Sequence, residues 1–490
     1  MAKTPRPLEL ARRMTPTDAM FWYAESALPV FRPIIGGLYI LDRKPDADAL
    51  ESALDRAIHV VPRLRQRVLE APLHLGMPEW VDDVHFDRSY HVRHFSVPQP
   101  GSMRELLDLV ATFLATPLDR ERPLWEVYWI DGLPRGRSAY FLKMHHAMVD
   151  GVGSIAIVNA LTDDHGAAPT HMRRRRPAAR RSQRERGTLA RLADLAAHDA
   201  RQSIRMARTA AGAPLRFLRD PVTSVRGIGG TLRSIGGLIA DASQPAVHDP
   251  LADSAGGLSR RLDVLELPIS RLRAIKKPLG VTINDLVLTV LAGALRNYHR
   301  ERRAPVRALN CMVPMNLRTS GQSNSLGNQV GLFNIKLPLG ERRPDRRLKE
   351  VVRQTRAAKD DHHGAIFPVL AELLTVTPAV VLGWLARRSL GRVNVACTNV
   401  PGLSERRSLA GAAVEAIYPF ASVVEGTPVV MALLSYADRI DIGIDTDPEA
   451  IPEPHRLTEL FEECLDEMEE LARQAGPRGR SQASATPATA

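Results

Sequence analysis

Cysteine is scarce in this chain: Cys311, Cys397 and Cys464 are the only three, widely spaced and odd in number. That excludes a disulfide framework and fits a reducing cytosol. No apolar run is long enough to span a bilayer. The opening MAKTPRPLELARRM lacks the apolar centre of a signal peptide. A cytoplasmic protein is expected, with any membrane contact peripheral. There is no G-x-S-x-G elbow, so a Ser-His-Asp hydrolase would lack its nucleophile.

The rest of the composition is that of a globular protein, 44% hydrophobic and 25% charged. At 490 residues the chain exceeds one ordinary domain. Sixty-six Lys and Arg against 55 Asp and Glu leave a formal charge of +11, which suits an acidic partner such as a phosphate-bearing molecule, anionic lipid or nucleic acid. Periodicity predicts strands at residues 33–41, 80–86, 90–96, 124–130 and 138–144, with helices at 46–61, around 106–114 and at 154–161. Thr17 or Asp18 is expected to cap a short helix carrying Met20, Phe21, Trp22 and Tyr23. Beyond residue 260 the pattern predicts strands at 262–267, 308–314, 333–337, 393–400, 429–434 and 440–444. Helices are predicted from Thr282, at 348–359, at 369–390 and at 457–471.

Between these halves the composition changes. Residues 173–186 are almost continuously basic, a run that is usually solvated. The following stretch places Leu189, Leu192 and Leu195 on one helical face, with Arg201, Arg205 and Arg208 elsewhere. Such a basic amphipathic helix suits an anionic membrane surface, or equally a connector packed on the protein itself. Aromatics for base stacking are scarce there, so nucleic acid is not expected as a partner. The organisation expected is an N-terminal α/β domain over 1–164, a connector over 165–258, a C-terminal domain over 259–475 and a disordered tail over 476–490.

The most informative stretch is HHAMVDG, residues 145–151, where a predicted strand meets a predicted helix. Adjacent residues on an extended chain point to opposite faces, so one of His145 and His146 is structural and the other is free for chemistry. A neutral imidazole is the usual general base near pH 7. Asp150 can fix the turn, and Gly151 leaves room for a substrate. A metal site pairing His146 with Asp150 needs a helix through both, against which Gly151 and Gly153 argue, and no nearby Cys or His pair completes a ligand set.

HHAMVDG resembles the HHxxxDG signature of CoA-dependent acyltransferases related to chloramphenicol acetyltransferase and peptide-synthetase condensation domains. Further segments narrow the resemblance to the bacterial wax ester synthase/acyl-CoA:diacylglycerol acyltransferase family. They are MTPTDAMFWYAES (14–26), WVDDVHFDRSYHVR (80–93), PLDRERPLWEVYWIDGL (117–133), TINDLVLTVLAGALR (282–296), VPMNLR (313–318), SLGNQVG (325–331) and TNVPGL (398–403). The resemblance implies an α/β fold of two chloramphenicol-acetyltransferase-like domains with mixed sheets, and a central tunnel where they meet. It implies acyl transfer from acyl-CoA, a substrate, to diacylglycerol or a fatty alcohol, without a cofactor or metal, at a membrane or lipid-body surface.

In that scheme His146 is the base and His145 a structural member of the motif. Asp150 holds the loop through an arginine, for which Arg65 is the first candidate and Arg318 the second. Asn284, Thr398 and Asn399 are candidate oxyanion donors. Asp285, paired with Thr282, reads first as a helix cap and second as a support of the site. Two other readings compete: a condensation-type enzyme acylating an amine from a carrier-protein thioester, and a non-catalytic lipid-surface protein.

Overall fold

The computed structural model describes residues 8, 10–27, 31–70, 77–149, 151–164, 247–253, 256–316, 330–362, 392–421 and 427–475. In chain order its helices are α1 (Pro16–Ala27), α2 (Ala47–Val60), α3 (Arg88–His91), α4 (Met103–Ala115), α5 (Gly151–Leu161), α6 (Ile269–Leu279), α7 (Ile283–Glu301), α8 (Pro344–His362) and α9 (Pro454–Ala475). The strands are β1 (Ile34–Leu41), β2 (Gln66–Leu69), β3 (Glu79–Asp82), β4 (Val92–Ser96), β5 (Trp125–Asp131), β6 (Ser138–His145), β7 (Asp163–Asp164) and β8 (Arg261–Pro268). They continue as β9 (Leu309–Asn316), β10 (Val330–Leu337), β11 (Val395–Leu403), β12 (Arg407–Leu409), β13 (Ala412–Ala421), β14 (Val429–Tyr436) and β15 (Arg439–Thr446).

Most helix starts follow from local chemistry. Asp46 caps α2 by accepting the Ala49 amide at 2.8 Å, and Ser102 with Glu105 forms a capping box on α4. Helix α1 begins earlier than expected. Thr15 Oγ1 accepts the Asp18 amide and the Asp18 carboxylate accepts the Thr15 amide, so Thr15 is the cap and Pro16 opens the first turn, where a missing N–H is harmless. Helix α5 is a second difference, since it starts at Gly151 and contains Gly153. Burial of Ile157, Val158, Ala160 and Leu161 in a core shared with α2 overrides the low helix propensity of glycine. The strand predicted at 80–86 ends at Asp82, and Tyr90 lies in α3 rather than in a strand. The predicted helix at 369–390, the basic run and amphipathic helix of the connector, and the tail lie outside the described residues.

Two large mixed sheets carry the architecture. The first runs β4-β5-β6-β1-β13-β12-β7, the second β10-β9-β11-β14-β15-β8. On the second, alternate residues such as Cys311, Val313, Cys397, Met431 and Leu433 join α6, α7, α8 and α9 in one apolar core. Helix α7 is buried almost all round, as its nearly unbroken apolar sequence requires. The other face of that sheet carries Met312, Ala396 and Val430, which pack with Ala421 of β13.

The pattern of residues 404–428 predicts no element, yet β12 and β13 lie there, and they belong to the first sheet although they follow residue 400 in sequence. Strand β13 pairs antiparallel with β1 from Ile35–Ala421 to Leu41–Val414. Strand β12 pairs with β13 only at Ala412 and Ala413, so most of β13 would be a bare edge with unpaired backbone groups. Side chains of the second sheet close that edge. Tyr436 donates its hydroxyl to Val414 O at 3.0 Å. Arg439 donates to Glu415 O, and the Asp441 carboxylate accepts the Ile417 amide at 2.7 Å. Because the Ile417 N–H points outward, so does the nitrogen of Pro419, two residues on; a residue without an N–H is tolerated there. Opposite it, a Cβ on Gly443 would lie 1.9 Å from Pro419 O, so only glycine lets the sheets approach this closely.

Two predictions follow from this junction. Gly443→Ala forces the sheets apart and should destabilise the protein by roughly 1–3 kcal/mol, the range for overpacking, readable as a lowered Tm. Asp441 is fully buried, and burial pushes its carboxyl up to about 7 against the opposing pull of the Ile417 amide and Arg439. Arg439 Nε lies 2.8 Å from Asp441 Oδ1, but off the line of a good hydrogen bond. Between the ordinary 3.8 and about 7 the folded state keeps a proton that the unfolded chain has released, so stability falls as pH rises through that window, by up to about 1.4 kcal/mol per unit. Asp441→Asn keeps an acceptor for Ile417 and should flatten the slope, trailing wild type in Tm at pH 5 and overtaking it by pH 7.5.

Candidate active site

The histidine motif sits where β6 leaves the first sheet. His145 is the last residue of that strand and is 1% exposed. Its Nδ1 accepts the Ala147 amide at 3.0 Å, which leaves the ring hydrogen on Nε2. That nitrogen faces Glu25 Oε2 at 3.5 Å. Glu25 is held in turn by Arg120 at 3.2 Å, which also bonds Ser26 and the Trp22 carbonyl and lies 3.5 Å over the Trp22 ring. Trp22 Nε1 and Arg120 share Glu70 as acceptor. Burial pushes the Glu25 carboxyl up, but the His145 N–H and the cations Arg120 and Arg32 outweigh it and hold the group below its ordinary value. Glu25 is therefore an ionised neighbour of His145 Nε2, off the line of a good hydrogen bond, while the Ala147 amide sets the tautomer.

His146 turns the other way. Its amide donates to Pro33 O at 2.6 Å, and its ring stacks on Phe21 with centroids 4.0 Å apart and planes 15° from parallel. The residue is half-buried. Nδ1 is turned into the protein. Phe21 also packs with Ala24, Phe31, Met20 and Met312 of β9, which brings the ring to the meeting of the two sheets. Ala147, Met148 and Val149 are buried and anchor the turn into the core, and α5 leads away to pack against β11.

The other expected residues are placed unevenly. Asp150 and Arg318 lie outside the described residues, and Gly151 is the first residue of α5. Arg65 donates to Ile58 O at 2.8 Å, at the end of α2. Asp285 forms the capping box with Thr282 and also accepts the Thr355 hydroxyl at 2.6 Å; it joins α7 to α8 and is buried. Asn284 is half-buried in the first turn of α7. Thr398 is half-buried and Asn399 exposed. Alternation along β11 puts Thr398 on the face of Ala396, toward the first sheet, and Asn399 on the opposite face.

Glu25 and Arg120 are absent from the sequence-derived set. The available signal was the spacing of Trp22 and Glu25, three apart on one helix, which places them side by side. Nothing local marks Arg120 as their partner, because it comes from the loop before β5. Among the described residues no group of three or more His, Cys, Asp or Glu side chains is placed to hold a metal ion.

Comparison with known proteins agrees along almost the whole chain. Residues 14–287 match the model of the wax ester synthase/diacylglycerol acyltransferase catalytic domain, and residues 326–469 match the C-terminal domain of the same family. A putative diacylglycerol O-acyltransferase of Mycobacterium tuberculosis is 30% identical over 485 residues, 98% of this chain and 96% of the relative. Another from that organism is 32% identical over 486 residues, covering 93% and 99%. Among solved structures, the wax ester synthase/diacylglycerol acyltransferase of Marinobacter aquaeolei VT8 superposes with a TM-score of 0.64 at 24% identity, covering 94% of this chain and all of that one. The first condensation domain of the calcium-dependent antibiotic synthetase gives 0.57 at 18% identity, covering 95% and 98%. These likenesses extend the chloramphenicol-acetyltransferase-like fold to both halves. The chain belongs to the wax ester synthase/diacylglycerol acyltransferase family.

Proposed function

We propose that the protein is an acyl-CoA-dependent O-acyltransferase that moves a long-chain acyl group onto diacylglycerol or a fatty alcohol, with His146 as general base. The observation that carries this reading is the pairing of two histidines in opposite environments. One is sealed beside Glu25; the other, half-buried, stacks on Phe21 at the meeting of two sheets. In this reading the two substrates reach His146 through the tunnel that the family resemblance implies where the two halves meet, the acyl-CoA from one side and the alcohol from the other.

His146 takes the hydroxyl proton, at Nε2 since Nδ1 is turned into the protein, as the alcohol oxygen attacks the thioester carbonyl. A carbon–oxygen bond forms and the carbonyl oxygen becomes an oxyanion, which placed donors must meet. Thr398 is the best supported of the candidates, since its strand face looks toward the first sheet; Asn284 and Asn399 are the others. Collapse of the intermediate breaks the carbon–sulfur bond, and the imidazolium returns its proton to the departing thiolate. The products are the ester and free CoA. The sequence of steps calls for no cofactor or metal. Asp150 holds the motif loop against an arginine, Arg65 or Arg318. Both acceptors are lipids, which supports a peripheral position at the cytoplasmic face of a membrane or on lipid bodies.

Replacing His146 by Ala should lower CoA release from palmitoyl-CoA with dioleoylglycerol or hexadecanol by roughly 10²–10⁴-fold, the usual contribution of a general base, with the Tm nearly unchanged. Near-normal turnover removes His146 from the role. Glu25→Gln still offers an acceptor to His145 Nε2 and should keep most of the activity. Glu25→Ala leaves the His145 N–H and Arg120 without it, and should lower both turnover and stability, the latter by about 1–3 kcal/mol. Equal behaviour of the Gln and Ala variants would show that the carboxylate does not orient the motif.

A further inference from the structure

The second half of the molecule carries a charged surface that the chemistry at His146 does not use. On α8, Arg346, Lys349, Arg353 and Arg356 are exposed. Their spacing of three, four and three residues puts them in one stripe along the helix, while Leu348, Val351 and Thr355 on the other side are buried. Arg342 and Arg343, exposed in the turn before α8, extend the stripe. Acidic side chains neutralise only part of it. Arg353 pairs with Glu350 and Arg343 with Asp345. Among the described residues Arg342, Arg346, Lys349 and Arg356 have no ion-pair partner. Beside them, Arg342 and Arg347 lie close enough to Arg296 of α7, together with Arg300, to depress its guanidinium, after the larger effect of its own burial. Such a concentration of like charge destabilises the free protein slightly and is relieved by an anionic partner.

We infer that this stripe on α8 docks the enzyme on an anionic phospholipid bilayer, which holds the diacylglycerol acceptor. The inference rests on the acyl-transfer reading above for the reason the enzyme needs a membrane, and names the surface that meets it. One feature favours a bilayer over another polyanion: the cations lie in a single row along the exposed face of α8, so they can meet a flat array of headgroups together.

The test uses the full chain with vesicles of phosphatidylglycerol and phosphatidylcholine. Wild type should co-sediment with mixed vesicles and not with pure phosphatidylcholine, and should be released by salt, since screening acts strongly on exposed charge. Neutralising three cations as Arg346→Gln/Lys349→Gln/Arg356→Gln should weaken binding on the order of a hundredfold, from about fivefold per cation. A control of equal charge change at other exposed positions, Arg273→Gln/Lys277→Gln/Arg406→Gln, should weaken it far less. With diacylglycerol in the anionic vesicles the α8 variant should show a raised KM. With detergent-dispersed diacylglycerol its turnover should match wild type. Equal vesicle binding by the two triple variants, or binding independent of lipid charge, overturns the docking inference and leaves the acyl-transfer reading standing. So does retention of the stripe by a single-stranded oligonucleotide in preference to vesicles. Absence of turnover by wild type in detergent overturns the acyl-transfer reading itself.

Discussion

The ladder between β1 and β13, together with the side chains that close the outer edge of β13, makes one molecule of two halves. An edge strand of this length in the middle of a protein would bury backbone groups without partners. Here Tyr436, Arg439 and Asp441, all from the β14–β15 hairpin, take over the bonds that a neighbouring strand would make. Gly443 allows the close approach. The apolar side chains of β13 then fall into two cores, Ile417 with the first and Phe420 beside Leu262 of the second sheet. This crossing, with the Arg104 bond to Leu262 O and the Arg261–Asp108 pair between α4 and β8, sets the relative position of the sheets.

The catalytic motif depends on the same junction from the other side. His146 rests on Phe21, which shares a small apolar cluster with Met312 of the second sheet. Helix α5 leaves the motif and packs against β11. At its far end Arg407, from β12, bonds Thr162 and its carbonyl, while Arg56 bonds the carbonyls of Ala160 and Leu161. The free carbonyls at the end of α5 thus meet cations, as the helix dipole favours. A helix clamped at its last turn by residues of both halves fixes the direction in which its first turn, at the histidine motif, points.

The division of labour between the two histidines is a matter of hydrogen-bond supply. His145 has an amide donor on one nitrogen and a carboxylate on the other, so its tautomer is determined and its ring is unavailable. Glu25 stays ionised because His145, Arg120 and Arg32 together outweigh its burial, and Arg120 is itself positioned by the Trp22 face and by Glu70. Much of the structure of α1 is devoted to this support. That explains why a helix so rich in large aromatics stands next to a polar reaction centre.

Much of this was legible in the residues themselves. Strand β6, helices α2, α4 and α7 and the β14–β15 hairpin announce themselves by periodicity and caps, because those signals are local. HHAMVDG with its ordered companion segments pointed to the acyltransferase family, and alternation along β6 already required the two histidines to differ. Only the tertiary structure decided which distant groups complete them. Nothing within reach of Arg120 in sequence pairs it with Glu25. Strand β13 could not be read because its partner lies more than 370 residues away and its proline speaks against a strand. The reach of a local pattern is one helical turn or one strand. The contacts that orient His145 and pair β13 with β1 join segments from about one hundred to almost four hundred residues apart, and only the folded chain brings them together.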